Sequence, residues 1–190
     1  ATANYTWSHS RDNASDDQSF LSPDALYGQV GDLGDSGNDI RHAVRAAVTY
    51  QIPSPSESGA AHALLSGWAV DGLFNAQSAP PVDLVDTSGA TISIEGFSFA
   101  PRPNVVPGQP WYLYGSQYPG GMAFNPAAFV SSGTQQGNLS RNALRGFGAW
   151  QADVALHRRF QLGPAALQFR AEVFNVFNHA NFGPPNTAVG

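Results

Sequence analysis

The side chains best able to do chemistry in this 190-residue sequence are nine arginines, fourteen acids and five histidines, and their spacing points away from catalysis. His9, His42, His62, His157 and His179 stand singly, without the i, i+4 pairing or the H-E-x-x-H run of a zinc hydrolase. Ser36, in Asp35-Ser36-Gly37, lacks the G-x-S-x-G elbow that exposes a nucleophile. The acidic segments Asp12 to Asp17 and Asp32 to Asp39 offer oxygen ligands of the kind calcium uses, but neither has EF-hand spacing, and both read as hydrated loops. Asn13-Ala14-Ser15 and Asn138-Leu139-Ser140 match a glycosylation sequon that nothing else in the sequence supports. No catalytic residue, metal site or cofactor is expected, and the chain is not expected to be an enzyme.

The remaining charges fall into a pattern of their own. Arg41, Arg45, Asp71, Asp153, Arg159, Arg170 and Glu172 each occupy the polar side of a segment whose other side is apolar. A strand sends successive side chains to opposite faces, so such segments read as strands with one wet and one greasy face. Five are visible, near 1–10, 40–52, 64–77, 150–162 and 165–178. In the fourth, Trp150, Ala152, Val154, Leu156, Phe160 and Leu162 oppose Gln151, Asp153, Ala155, His157, Arg159 and Gln161. Arg158 is the one charge on its apolar side. The end of the fifth is apolar on both sides, at Phe174 and Val176.

These segments are longer than soluble strands and match the roughly 9–11 residues a tilted membrane strand needs. Their connections alternate long (11–39), short (53–63), long (78–149) and short (Gly163-Pro164). Outer-membrane barrels keep tight turns in the periplasm and large loops outside. The expected fold is therefore all-β, an antiparallel up-and-down transmembrane β-barrel segment of about five long strands with two extracellular loops, 11–39 and 78–149. Inside the longer loop, Thr91 to Phe99 reads as a short strand. The charges named above become lumen-facing candidates, and the aromatics form two interfacial girdles. Tyr50, Trp68 and Phe160 lie near the periplasmic ends, with Trp7, Phe74, Trp150 and Phe177 near the outer ends.

Composition agrees. Only 12% of residues are charged, against roughly 25% in ordinary globular proteins, and 20 glycines and 14 prolines supply turns. A net charge of −5 without a basic patch argues against a nucleic-acid partner. The absence of cysteine excludes disulfides and thiolate metal sites. No apolar run approaches the roughly 18 residues of a spanning helix, so a membrane crossing would use strands. Ala1 already reads as mid-strand and the single Met is at position 122, so the sequence reads as a piece of a longer chain.

Specific stretches carry a family resemblance. Asn138 to Leu156 (NLSRNALRGFGAWQADVAL) and Leu167 to Gly183 (LQFRAEVFNVFNHANFG) closely resemble the C-terminal barrel region of Oar-like TonB-dependent receptors. So do Tyr5 to Ser10, Asp39 to His42, Leu65 to Trp68 and Phe124 to Phe129, in family order. The resemblance implies a barrel of about 22 strands around a plug in the bacterial outer membrane. Its partners would be outer-membrane lipid, the remainder of its own barrel and plug, and the TonB complex reached through an N-terminal part not in this sequence. The family's last strand would be missing too, and the substrate class stays open. A five-strand arc has two unpaired edges that lipid cannot satisfy, so alone it is expected not to insert stably. The alternative is a soluble β-sandwich carbohydrate-binding module with Trp68, Trp111, Tyr112 and Trp150 as stacking platforms.

Overall fold

The computed structural model describes residues 1–13, 15, 33–54, 58–89, 91–94 and 97–189. These divide into two compact units. One comprises Ala1–Thr6, His42–Gln77 and Ala149–Ala180, the other Trp7–Arg41, Ser78–Gly148 and Asn181–Gly190.

The first unit is a sheet of five antiparallel strands in chain order: β1 (Thr2–Trp7), β2 (His42–Gln51), β3 (Trp68–Gln77), β4 (Ala149–Leu162) and β5 (Ala165–Val173). This is an up-and-down meander. Paired residues in antiparallel strands share a face, so the register fixes the two surfaces. Tyr50, Val70, Leu156 and Ala171 form one row of the apolar surface, and Trp68, Arg158 and Phe169 the next. Thr49, Asp71, Ala155 and Glu172 form a row of the polar surface. The apolar surface is bare: Tyr50 is 59% exposed and Leu167 57%. So much uncovered apolar area is a liability in water and a match for lipid.

Four boundaries differ from the sequence expectation: the first strand, expected over 1–10, ends at Trp7, with Ser10 bonded instead to Ser36 and Asp39 of the loop, and the other three have local reasons of their own. The segment expected as strand from 64 begins instead as a helix, α1 (Gly59–Leu65), and β3 starts at Trp68. Ala and Leu are strong helix formers, the adjacent Leu64 and Leu65 break the alternation, and Gly67 with φ +75° closes the helix from the left-handed region. The fifth strand, expected to reach 178, ends at Val173. Asn175 (φ 49°) and Asn178 (φ 51°) take left-handed conformations there, although the Val176 amide still donates to the Ala152 carbonyl at 2.8 Å. The strand expected from 40 starts at His42, because Ile40 and Arg41 belong to the preceding loop.

The second unit is built from short ladders. Arg11–Asp12 pairs with Gly34–Asp35, Pro81–Val82 with Leu144–Arg145, Asn104–Val105 with Phe129–Val130, and Tyr112–Tyr114 with Met122–Phe124. Ala188–Val189 runs parallel to Val85–Asp86. Where one strand was expected from Thr91 to Phe99, Ile92–Ile94 and Phe97–Phe99 pair as a hairpin, with residues 95–96 outside the description. The unit has its own core of Leu84, Ala128, Phe129, Leu139 and Leu144, flanked by Val105, Trp111, Tyr112 and Phe124. A long connection thus buries a core instead of lying open, as loops of this length must if they are ordered.

Leu144 is fully buried in that core. Leu144→Ala is expected to cost about 3 kcal/mol, whereas Val130→Ala at a half-exposed position should cost under about 1 kcal/mol. Urea-unfolding midpoints of the two variants check the contrast.

Candidate functional site

The polar face of the sheet carries a charged cluster centred on Asp71 of β3. Thr49 donates its hydroxyl to Asp71 Oδ1 at 2.8 Å from β2. From β5, Arg170 Nη1 lies 3.2 Å from Asp71 Oδ2, and its Nε donates to Glu172. His157 of β4 brings Nδ1 to within 3.1 Å of the same carboxylate, but without hydrogen-bond geometry. Four strands therefore contribute to one network. The register explains it, since Asp71 pairs with Thr49 and Ala155, and Ala155 pairs with Glu172.

The other charges expected on this face are distributed differently. Asp153 accepts hydrogen bonds from Gln151 Nε2 (2.7 Å) and from the Asn175 amide (2.8 Å), so it ties the turn after β5 to β4. Arg45 and Arg159 are exposed, and among the described residues neither forms an ion pair. Arg41 is not on the wall, because it lies in the loop unit. What Asp71, His157, Arg170 and Glu172 offer chemically is a polar surface carrying both signs of charge, with which side chains or solutes can exchange.

The aromatics cluster by end. Trp68 meets Phe169 edge-on at 5.8 Å, and the Arg158 guanidinium sits 4.2 Å over Phe160, both at the end where β4 turns into β5. Tyr50, one row away, is exposed. At the opposite end, Trp150 contacts Phe74 (6.2 Å), Phe177 (5.9 Å) and the His179 ring (4.2 Å). Trp7, at the end of β1, is exposed.

The loop unit holds a second network, which sequence reasoning did not single out. Asp39 is 1% exposed. Its Oδ1 accepts the Ser10 amide at 2.8 Å, and its Oδ2 accepts Arg41 Nε and, at 2.6 Å, Arg145 Nη2. Both arginines also reach Asp35 Oδ2, while His9 Nε2 lies 3.1 Å from Asp35 Oδ1. Nearby, Arg141 donates to the Asp12 carbonyl and carboxylate, each at 2.7 Å, and to Ser15. Gly34 must be glycine, because a Cβ there would lie 2.4 Å from the Arg141 carbonyl oxygen. The Asn138 to Gly146 stretch thus supplies two core leucines, Leu139 and Leu144, and two arginines that clamp the 11–39 loop.

Burial alone would raise the Asp39 carboxyl, but the Arg41 and Arg145 hydrogen bonds and the Ser10 amide outweigh it and hold it well below the usual range. Asp35 is lowered in the same way, against burial, by His9, Arg145 and Arg41. His9, Asp35 and Asp39 lie close enough together to share a cation. Two guanidiniums already occupy their carboxylates, so the group reads as an ion-pair clamp. Asp16, Asp17 and Asp32 of the acidic segments, and Ala14 of the first sequon, lie outside the described residues. Ser36 is buried in a turn, its amide donating to the Ser10 carbonyl at 2.9 Å.

A carboxylate whose folded pKa is lowered contributes stability above its unfolded value near 4 and loses it as pH falls through the folded value. Asp39→Asn should therefore destabilise the chain by about 2 kcal/mol at neutral pH, because the half-buried Arg41 and Arg145 guanidiniums lose a buried charged acceptor and keep only Asp35. The gap between wild type and variant should narrow below about pH 4. Urea midpoints across that range check both statements.

The comparisons with known proteins fit this geometry. A family model described as an outer membrane beta barrel domain matches residues 1–190. Neither the curated proteins nor the solved structures gave a match. A meander of long strands with one bare apolar face and one charged face suits a barrel wall, and the chain belongs to the outer membrane beta-barrel domain family, located in the bacterial outer membrane.

Proposed function

We propose that the chain forms wall and extracellular loops of an Oar-like TonB-dependent receptor that captures and imports a large nutrient such as an oligosaccharide, peptide or metal chelate. The observation that carries this reading is the Asp71 cluster. Polar and charged groups from four adjacent strands face one side of a lipid wall, where a wide lumen or a plug would give them water and partners. The resemblance of Asn138 to Leu156 and Leu167 to Gly183 to such receptors supplies the transport class. Both long connections emerge from the ends of the strands opposite the short ones, which by the turn rule is the extracellular side. The loop unit, with its buried core and clamp, then serves as a preorganised capture surface. The role is scaffold and recognition, with no catalytic step, and energy coupling belongs to a plug and to TonB as partners.

The match of an outer membrane beta barrel domain to residues 1–190 speaks against the soluble β-sandwich reading. The transport reading is tested with the full-length protein that carries this chain. Calorimetry with the periplasmic domain of TonB should give saturable one-to-one binding that a plug deletion abolishes. Absence of binding by the full-length protein would leave a barrel without TonB coupling and refute the proposal.

A further inference from the structure

The short connection expected over 53–63, between β2 and β3, contains most of α1. The helix is apolar, with Ala60, Ala63, Leu64 and Leu65 and no Asp, Glu, Lys or Arg from Ser58 to Gly67. Leu64 is 67% exposed and Leu65 49%. In water, two adjacent uncovered leucines on a seven-residue helix have nothing to hold them in place.

Which face of the sheet the helix lies over follows from Arg158. The register pairs Arg158 with Trp68 on one side and Phe169 on the other, so its side chain leaves the sheet on the apolar face. Its two terminal nitrogens donate to the carbonyls of Ala63 and Leu64, the last turn of α1. Trp68, on the same face, donates its indole N–H to the Leu64 carbonyl at 3.1 Å. The C-terminal end of α1 therefore sits outside the wall, over the lipid-facing surface. Carbonyls at a helix C-terminus have no partner within the helix and carry partial negative charge, which a guanidinium satisfies. The exchange works in both directions. Arg158, the one charge on the apolar face of β4, is only 6% exposed, its charge covered by the helix end and by the Phe160 and Trp68 rings.

We propose that α1 is a membrane-interface helix. Leu64 and Leu65 enter the boundary between acyl chains and headgroups of the leaflet at the short-connection end of the wall, and Arg158 anchors the helix there. The occupant of the leucine face is lipid because that face continues the lipid-facing surface at Trp68, Phe160 and Phe169, the aromatic level where barrels meet the interface. The inference rests on the membrane wall alone and stands apart from the transport reading.

The chain has no cysteine, so single substitutions can carry a nitroxide label. In the barrel reconstituted into phosphatidylethanolamine–phosphatidylglycerol vesicles, Leu65→Cys is expected to be relaxed by oxygen and shielded from a nickel chelate. It should resemble Leu167→Cys on the apolar face and differ from Gln161→Cys on the polar face. Adding Arg158→Ala should cost the Leu65 label its shielding while the Leu167 label keeps it. A Leu65 label that behaves like Gln161 puts the helix in water and overturns the proposal. Shielding from both reagents means that protein covers the helix, and overturns it equally. Shielding that survives Arg158→Ala removes Arg158 as the anchor. A Leu167 label open to the chelate would instead disprove the membrane wall, a separate failure.

Discussion

Hydrocarbon offers no hydrogen bonds, so every amide and carbonyl that crosses it must be paired within the protein, and the rest of this structure follows from that requirement. It favours strands paired over their whole length, and β3 meets this condition with partners on both sides from Ala69 to Gln77. Once the backbone is committed to the ladder, side chains can only alternate, and one face must be apolar. β1 and β5 each have one ladder edge without a partner among the described residues, and closure of a barrel is what pairs them.

The polar groups that break the alternation show how strictly the requirement applies. Arg158 stands on the lipid side and is hidden by helix carbonyls and aromatic rings, close to the end of its strand, where the cost of an arginine falls from about 2–4 kcal/mol at the midplane towards zero. Asp71, Arg170 and Glu172 stand on the other side, where water and counter-charges are available. The loop unit obeys the soluble version of the same rule. Its buried Asp39 and Arg141 are fully engaged by opposite charges and backbone groups, and its leucines form a core independent of lipid.

How much of this was legible in the sequence depended on whether the signal was local. The period-2 pattern in His42–Gln51 and Ala149–Leu162 is a property of adjacent residues, and it displayed the strands, their faces and the anomaly at Arg158. The helix at Gly59–Leu65 was hidden because a seven-residue run of Ala and Leu resembles the start of an apolar strand. Its lock, Arg158, lies far along the chain. The loop clamp was hidden for a similar reason. Asp35 and Asp39 both meet Arg145, and Asp12 meets Arg141, each across more than a hundred residues, and nothing local says that they meet. The hairpin inside Thr91–Phe99 was read as a single strand because its two arms are only three residues each.

The most direct measurement is reactivity along β4 toward a membrane-impermeant maleimide, with single cysteines at each position from Trp150 to Leu162 in the reconstituted barrel. The faces assigned here require alternation: Gln151, Asp153, Ala155, His157, Arg159 and Gln161 positions react from the aqueous lumen, and Trp150, Ala152, Val154, Leu156 and Phe160 positions are protected by lipid. Uniform reactivity, or alternation with the opposite phase, would contradict the membrane wall on which the whole reading stands.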